Sequence, residues 1–315
     1  MKAVLIVGIV LAALALLLLG LCFVCYYIAF YSPSRKPLGE TEFRYPQGKI
    51  YEPYREKMKL WMQEARNMPH EMVSVRSEDG LTLRGRLYEY TPGAIIELMF
   101  HGYRSDSERD MCAGVQRCFS LGRNALIVDQ RGGGASDGHT ITFGIKERKD
   151  CLKWVDFLIQ KYGKDVRIVL TGISMGASTV MMAGGLELPE NVVGIIADCG
   201  YSSPKEIIQK VMKQIRMPVK LLYPFVKLGA RIFGGFNLEE TSCTEAMKVC
   251  KIPVFFAHGE ADAFVPYEMS VKNYEACAAP KKLLNVPEAG HGLCYMLAPE
   301  DYRRALLEME QYYGK

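Results

Sequence analysis

The chain offers one serine set between glycines, one histidine near its C-terminal end, and a short acidic cluster between the two. Gly172-Ile173-Ser174-Met175-Gly176 follows the apolar run 167–171 and precedes a helical pattern at 177–186. A G-x-S-x-G pentapeptide is common by chance, but between a strand and a helix it makes a sharp, strained turn. Such a turn holds a serine hydroxyl clear of the sheet. It also places the hydroxyl at a helix N-terminus, where the dipole favours developing negative charge.

A serine hydroxyl needs a neighbouring base to become a nucleophile, and five histidines allow elimination. His70 precedes the main body and His139 sits in a polar loop, while His101 and His258 each end a strand and are followed by glycine. His291, in Glu288-Ala289-Gly290-His291-Gly292, lies between the last strand and the last helix. That position fits a serine–acid–histidine chain order. The acid belongs after the preceding strand, where His258-Gly259-Glu260-Ala261-Asp262 offers both Glu260 and Asp262. Asp198, one strand earlier, is a more distant alternative.

A tetrahedral intermediate needs donors preorganised around its oxyanion. The N–H of Met175 is one candidate. The other is the N–H of Tyr103, in the turn Phe100-His101-Gly102-Tyr103 after an early strand. The glycine run in Asp129-Gln130-Arg131-Gly132-Gly133-Gly134-Ala135-Ser136 lacks the helix that a nucleotide-binding turn requires directly after it. It reads as a structural loop tied down by Asp129 and Arg131.

These residues need a scaffold, and the hydrophobic pattern supplies one. The stretches 72–76 and 81–90, joined by Asp79-Gly80, read as a β-hairpin. After it, strand-like runs at 94–100, 124–128, 167–171, 192–197, 254–257 and 282–286 alternate with helical patterns. The helical stretches are 108–121, 145–162, 177–186, 267–277 and 299–313. Strands buried on both faces and alternating with helices predict a mostly parallel α/β sheet. Residues 204–248 interrupt the alternation, with Pro218 and Pro224 as breaks. They read as a helical insertion over the C-terminal ends of the strands, where such sheets bind ligands, and so as a lid.

Residues 3–30 carry no charge and exceed the ~20 apolar residues that span a bilayer. Tyr26, Tyr27, Phe30 and Tyr31 gather at the far end, as aromatics do at a membrane interface. A cleaved signal would have a shorter apolar core and end in small residues. Residues 1–31 are therefore expected to be a single-pass membrane anchor. Residues 32–70 form a proline-containing linker followed by an amphipathic helix built on Tyr54, Met58, Trp61, Met62, Ala65 and Met68. Residues 71–315 make the catalytic domain. Arg35, Lys36, Arg44 and Lys49 outnumber the charge before the apolar run, which places the body in the cytoplasm. The ten cysteines show no zinc-type spacing and read as buried thiols, in keeping with that compartment. A net charge of +4, with no dense basic cluster in the body, argues against a nucleic-acid partner.

Taken in order, HGY, DQRGGGAS, GISMG, HGEADAFVP and GHG resemble the α/β-hydrolase superfamily across residues 72–313. The chain is similar to bacterial membrane-associated members of the esterase and serine-aminopeptidase kind. The resemblance implies an eight-stranded, mostly parallel sheet with one antiparallel strand, and no metal or cofactor. It selects Asp262 through the pattern H-G-x-x-D-x-x-V-P, alongside Ser174, His291, Tyr103 and Met175. The expected activity is hydrolysis of a small-molecule carboxylic ester through an acyl-enzyme. A peptidase or amidase sharing the site is the alternative, with Glu239 or Glu240 receiving a substrate amine, and a non-catalytic binding module is the third reading. Oligomeric state is left open.

Overall fold

The computed structural model describes residues 1–33, 38–39 and 41–313; Arg35, Lys36 and Pro37 of the expected linker lie outside these. Helix α1 (Lys2–Ala29) leads into a 3₁₀ turn (Lys49–Tyr54) and α2 (Arg55–Asn67). The body then runs β1 (Glu71–Arg76), β2 (Thr82–Tyr88), β3 (Ile96–Phe100), α3 (Ser107–Ser120), β4 (Asn124–Asp129) and α4 (Glu147–Tyr162). It continues through β5 (Ile168–Ile173), α5 (Met175–Ala183), β6 (Val192–Asp198), α6 (Pro204–Gln214), α7 (Val219–Ile232) and α8 (Cys243–Val249). It closes with β7 (Val254–Gly259), α9 (Tyr267–Ala276), β8 (Lys281–Val286), α10 (Cys294–Leu297) and α11 (Pro299–Glu310).

The eight strands form one sheet in the order β1-β2-β4-β3-β5-β6-β7-β8. β2 alone runs against the rest, paired antiparallel to β1 and β4. β3, β6 and β7 are buried along their whole length, as strands covered by helices on both faces must be. One core layer is led by Trp154, Phe100 and Phe256, and a second by Phe255, Tyr302 and Met62. α2 belongs to that second layer through Met58 and Met62, so the expected amphipathic helix packs on the body.

A buried ionic knot ties β3 to α3 and α11. Glu97, fully buried, accepts from Arg123 at 2.6 Å, from Thr171 at 3.0 Å and from Arg117. Arg123 also pairs with Glu310 of α11. Burial opposes ionisation of Glu97, but the two guanidiniums outweigh it and hold the carboxyl well below its usual range. Glu97→Ala would strand the buried Arg117 and leave Arg123 with Glu310 as its remaining carboxylate. Urea unfolding should show a loss of about 3–5 kcal/mol, and an unchanged midpoint would show that the knot contributes nothing.

Three features differ from the sequence reading. Pro224 lies inside α7 on its exposed side instead of breaking it, while Pro218 caps the helix. The supposed linker turns at Gly48, with φ of 121°, into the 3₁₀ turn, whose Tyr51 is buried. The apolar helix is not separate from the body either. Residues 2–20 are exposed, but Cys22, Tyr26 and Phe30 are buried. The edge of Phe30 meets Phe143 and Phe236, at 5.7 and 5.3 Å between ring centroids. The chain past α1 is also pinned, with the Ser32 N–H donating to His139 O at 2.8 Å and the Ile141 N–H to Phe30 O at 2.8 Å.

Candidate active site

β5 and α5 meet at Ser174, whose backbone is held at φ 55°, ψ −118°. The flanking glycines make this turn possible. A Cβ on Gly172 would lie 2.2 Å from the carbonyl carbon of Gly176, and one on Gly176 would lie 1.9 Å from Phe100 O. The Ser174 N–H donates to Asp198 O at 2.8 Å, locking the turn to the end of β6. Ser174 Oγ stands 2.9 Å from His291 Nε2, and His291 Nδ1 stands 2.7 Å from Asp262 Oδ2.

Asp262 is saturated with donors. Its Oδ1 accepts from the N–H groups of Phe264 and Val265, both at 2.8 Å, and Oδ2 also lies 3.2 Å from His258 Nε2. Burial pushes this carboxyl up, but the bonds from His258 and His291, with the charge of His291, pull it well below the usual carboxylate range. The other acids considered lack this setting. Glu260 is exposed and accepts from Asn285. Asp198 is buried, and burial pushes its carboxyl up, away from the ionised form. Cys199, Asp262 and His291 present ligand atoms within 4.8 Å of one another. Burial pushes the Cys199 thiol well above its ordinary value, so it suits packing better than metal binding.

The loop after β3 runs beside the nucleophile. A Cβ on Gly102 would be 3.4 Å from Ser174 Cβ and 3.1 Å from Asp110 Oδ2. Asp110 accepts from the Gly102 N–H at 2.8 Å and from Arg109 Nε at 2.8 Å, fixing the loop from below. Tyr103 borders the cleft, but its hydroxyl is committed to Ala29 O at 2.8 Å. Arg104, at φ 46°, donates to Ile28 O at 2.9 Å and Tyr31 O at 2.7 Å. Met175 opens α5, so its N–H has no acceptor within the helix.

The remaining histidines are occupied. His101 Nε2 accepts from the Gln130 N–H at 2.9 Å, which leaves Nδ1 to donate to Gly102 O at 2.8 Å. The glycine-rich loop is structural, with Asp129 accepting from the N–H groups of Ser107 and Ala135 and Arg131 forked onto Asp150.

Above Ser174 opens a cleft of ≈ 680 Å³, walled by Ile50, Tyr51, Met111, Phe264, Tyr295 and Met296 among others. Among the described residues, none from 204–248 lines it. The insertion expected as a lid touches only its rim, through Lys210 Nζ donating to Ala263 O and Phe264 O at 2.6 Å. The 3₁₀ turn covers the site instead, with Tyr51 Oη donating to His291 O at 2.9 Å. A six-residue turn around Pro53 has no periodicity to reveal it in sequence. Glu239 and Glu240, considered as amine ligands, are held elsewhere. Glu239 accepts from Tyr223 and Lys227, and Glu240 from Arg148.

Residues 92–238 match the family model described as serine aminopeptidase, S33. The uncharacterized protein YqkD of Bacillus subtilis is 29% identical over 60% of this chain and 62% of its own length. Protein bem46 of Schizosaccharomyces pombe is 27% identical over 71% and 72%. Among solved structures, an esterase of Pyrococcus furiosus superposes with a TM-score of 0.65 at 23% identity, over 80% of this chain and 94% of that one. Est1E from Butyrivibrio proteoclasticus, solved with ferulic acid, gives 0.59 at 20% identity, over 76% and 99%.

Proposed function

We propose, from the α/β-hydrolase fold that this chain shares with solved esterases and from the family match over residues 92–238, that it is a membrane-anchored serine hydrolase that cleaves carboxylic esters. The observation that carries this reading is the unbroken hydrogen-bond chain Ser174 Oγ–His291 Nε2, His291 Nδ1–Asp262 Oδ2. In the proposed reaction Ser174 attacks the acyl carbon while His291 takes its proton. The imidazolium then protonates the leaving alcohol, and water, activated by the same histidine, releases the acid. Asp262, ionised and fixed by two backbone amides, orients His291 and stabilises its charged form. The N–H groups of Tyr103 and Met175 receive the oxyanion.

Ester over amide is favoured by the engagement of Glu239 and Glu240 with other partners, which leaves no carboxylate on the insertion to bind a substrate amine in the cleft. The esterases among the structural relatives point the same way. Retention of α1 as an anchor is supported by its length and by its last turns, since cleavage after it would pull Tyr26 and Phe30 out of the core. A body on the cytoplasmic side fits the ten free thiols.

The test is a fluorophosphonate probe on the detergent-solubilised full chain, followed by turnover of p-nitrophenyl esters against aminoacyl anilides. Labelling with ester turnover is the expected result. Labelling with anilide turnover alone would move the assignment to a peptidase, and a folded protein that takes no label would end the hydrolase reading.

A further inference from the structure

The core uses only one face of α7. Tyr223, Val226 and Ala230 are buried in it. Gly229 meets α1 so closely that a Cβ there would lie 2.4 Å from Cys22 O. Just past the helix end, Phe233 packs edge-on against Phe23 at 5.2 Å and tilted against Tyr26 at 5.9 Å. The opposite face carries Leu221, Leu228 and Ile232, which are 64%, 46% and 49% exposed. With exposed Pro224 their spacing makes one stripe three turns long, and Ile215, 60% exposed, extends it into the preceding loop. Isolated exposed leucines are ordinary, but a continuous stripe marks a contact surface.

Three observations identify what covers it. The first is level. Residues 2–20 of α1 are exposed on all sides; at 1.5 Å per residue they span about 28 Å, close to the ~30 Å hydrocarbon core of a bilayer. Contact with α7 begins at Cys22, so α7 is seated where α1 would leave the hydrocarbon. The second is continuity, because Leu228 and Ile232 flank Gly229, the residue that abuts α1. The third is charge. Residues 204–238 hold seven basic side chains and one acidic, so this part of the insertion alone is more positive than the entire chain at +4. The acids that follow, Glu239 and Glu240, are engaged by Tyr223, Lys227 and Arg148. Lys213, Arg216, Lys220 and Arg231 are all exposed. A second copy of the chain would bring the same excess charge to the contact and repel it.

We infer that α7 is a second membrane-binding element, with its Leu221–Leu228–Ile232 stripe in the boundary between headgroups and acyl chains of an anionic bilayer. The basic side chains around the stripe then pair with lipid phosphates. This rests on α1 being a membrane anchor, and the experiment separates the two. The full-length protein is reconstituted into phosphatidylcholine–phosphatidylglycerol vesicles with brominated acyl chains. A tryptophan is introduced by Leu228→Trp, by Leu17→Trp in α1, or by Leu307→Trp on the exposed face of α11. Signal from native Trp61 and Trp154 is subtracted. Bromine should quench the Leu17→Trp and Leu228→Trp signals at least about twofold and leave Leu307→Trp bright. A quenched Leu17→Trp beside a bright Leu228→Trp keeps the anchor and overturns the inference. Dimeric mass in that case would assign the stripe to a second copy. Loss of quenching at both positions overturns both readings.

Discussion

Ser174→Ala is expected to lower kcat for a p-nitrophenyl ester roughly 10⁶-fold with little change in KM, and His291→Ala to do the same. In the proposed mechanism the two side chains act as one device, with the 2.9 Å contact between Oγ and Nε2 as the route of the proton that makes the hydroxyl nucleophilic. The double variant should therefore be no slower than either single one. Stopped-flow assays and active-site titration read this directly. Additive losses would mean that His291 works independently of Ser174, and the mechanism would have to be rebuilt.

Asp262→Asn should cost roughly 10⁴-fold in kcat while leaving the protein folded. An amide can keep contacts in the network, but it cannot balance the imidazolium that forms at His291 and it favours the wrong tautomer. The same change tests a pH argument. The Asp262 carboxyl is held below the ordinary carboxylate range in the folded chain. Its contribution to stability is then fully present above the unfolded value of about 3.9 and is lost only as pH falls through the lower folded value. From neutral pH down to about 4, Asp262 should not set the acid limb of either activity or stability. An acid limb that moves on Asp262→Asn would contradict this.

The strands and most helices of the body were legible because each is long enough to repeat its pattern, from the buried run of β6 to the amphipathic turns of α3. Ser174, the loop of Glu260 and Asp262, and His291 stood out in the sequence through strain and chain order. The structure places Ser174, His291 and Asp262 within hydrogen-bond reach; the choice of Asp262 over Glu260 came from the family resemblance. Other parts of the site were not legible. Asp110, which accepts from the Gly102 N–H, lies in the first turn of α3, where an acidic residue looks like any helix N-terminal position. Tyr51 reaches His291 across 240 residues from a turn without periodicity. The apolar N-terminal segment was legible only in part. Its composition is uniformly apolar, so nothing in the sequence marks Cys22 as the point where solvent-excluded protein contacts begin.

The rim of the site is held by the end of α1. Tyr103 donates to Ala29 O, and Arg104 to Ile28 O and Tyr31 O, where a cation also suits the negative end of the helix dipole. The border between the exposed apolar turns and the body therefore falls inside a continuous helix, near residue 21. A body on a flexible tether tumbles and samples the volume around its attachment point. On the proposed membrane anchoring, this one would be fixed in height and tilt like a mast stepped into its hull, and its search for substrate would reduce to lateral diffusion in two dimensions.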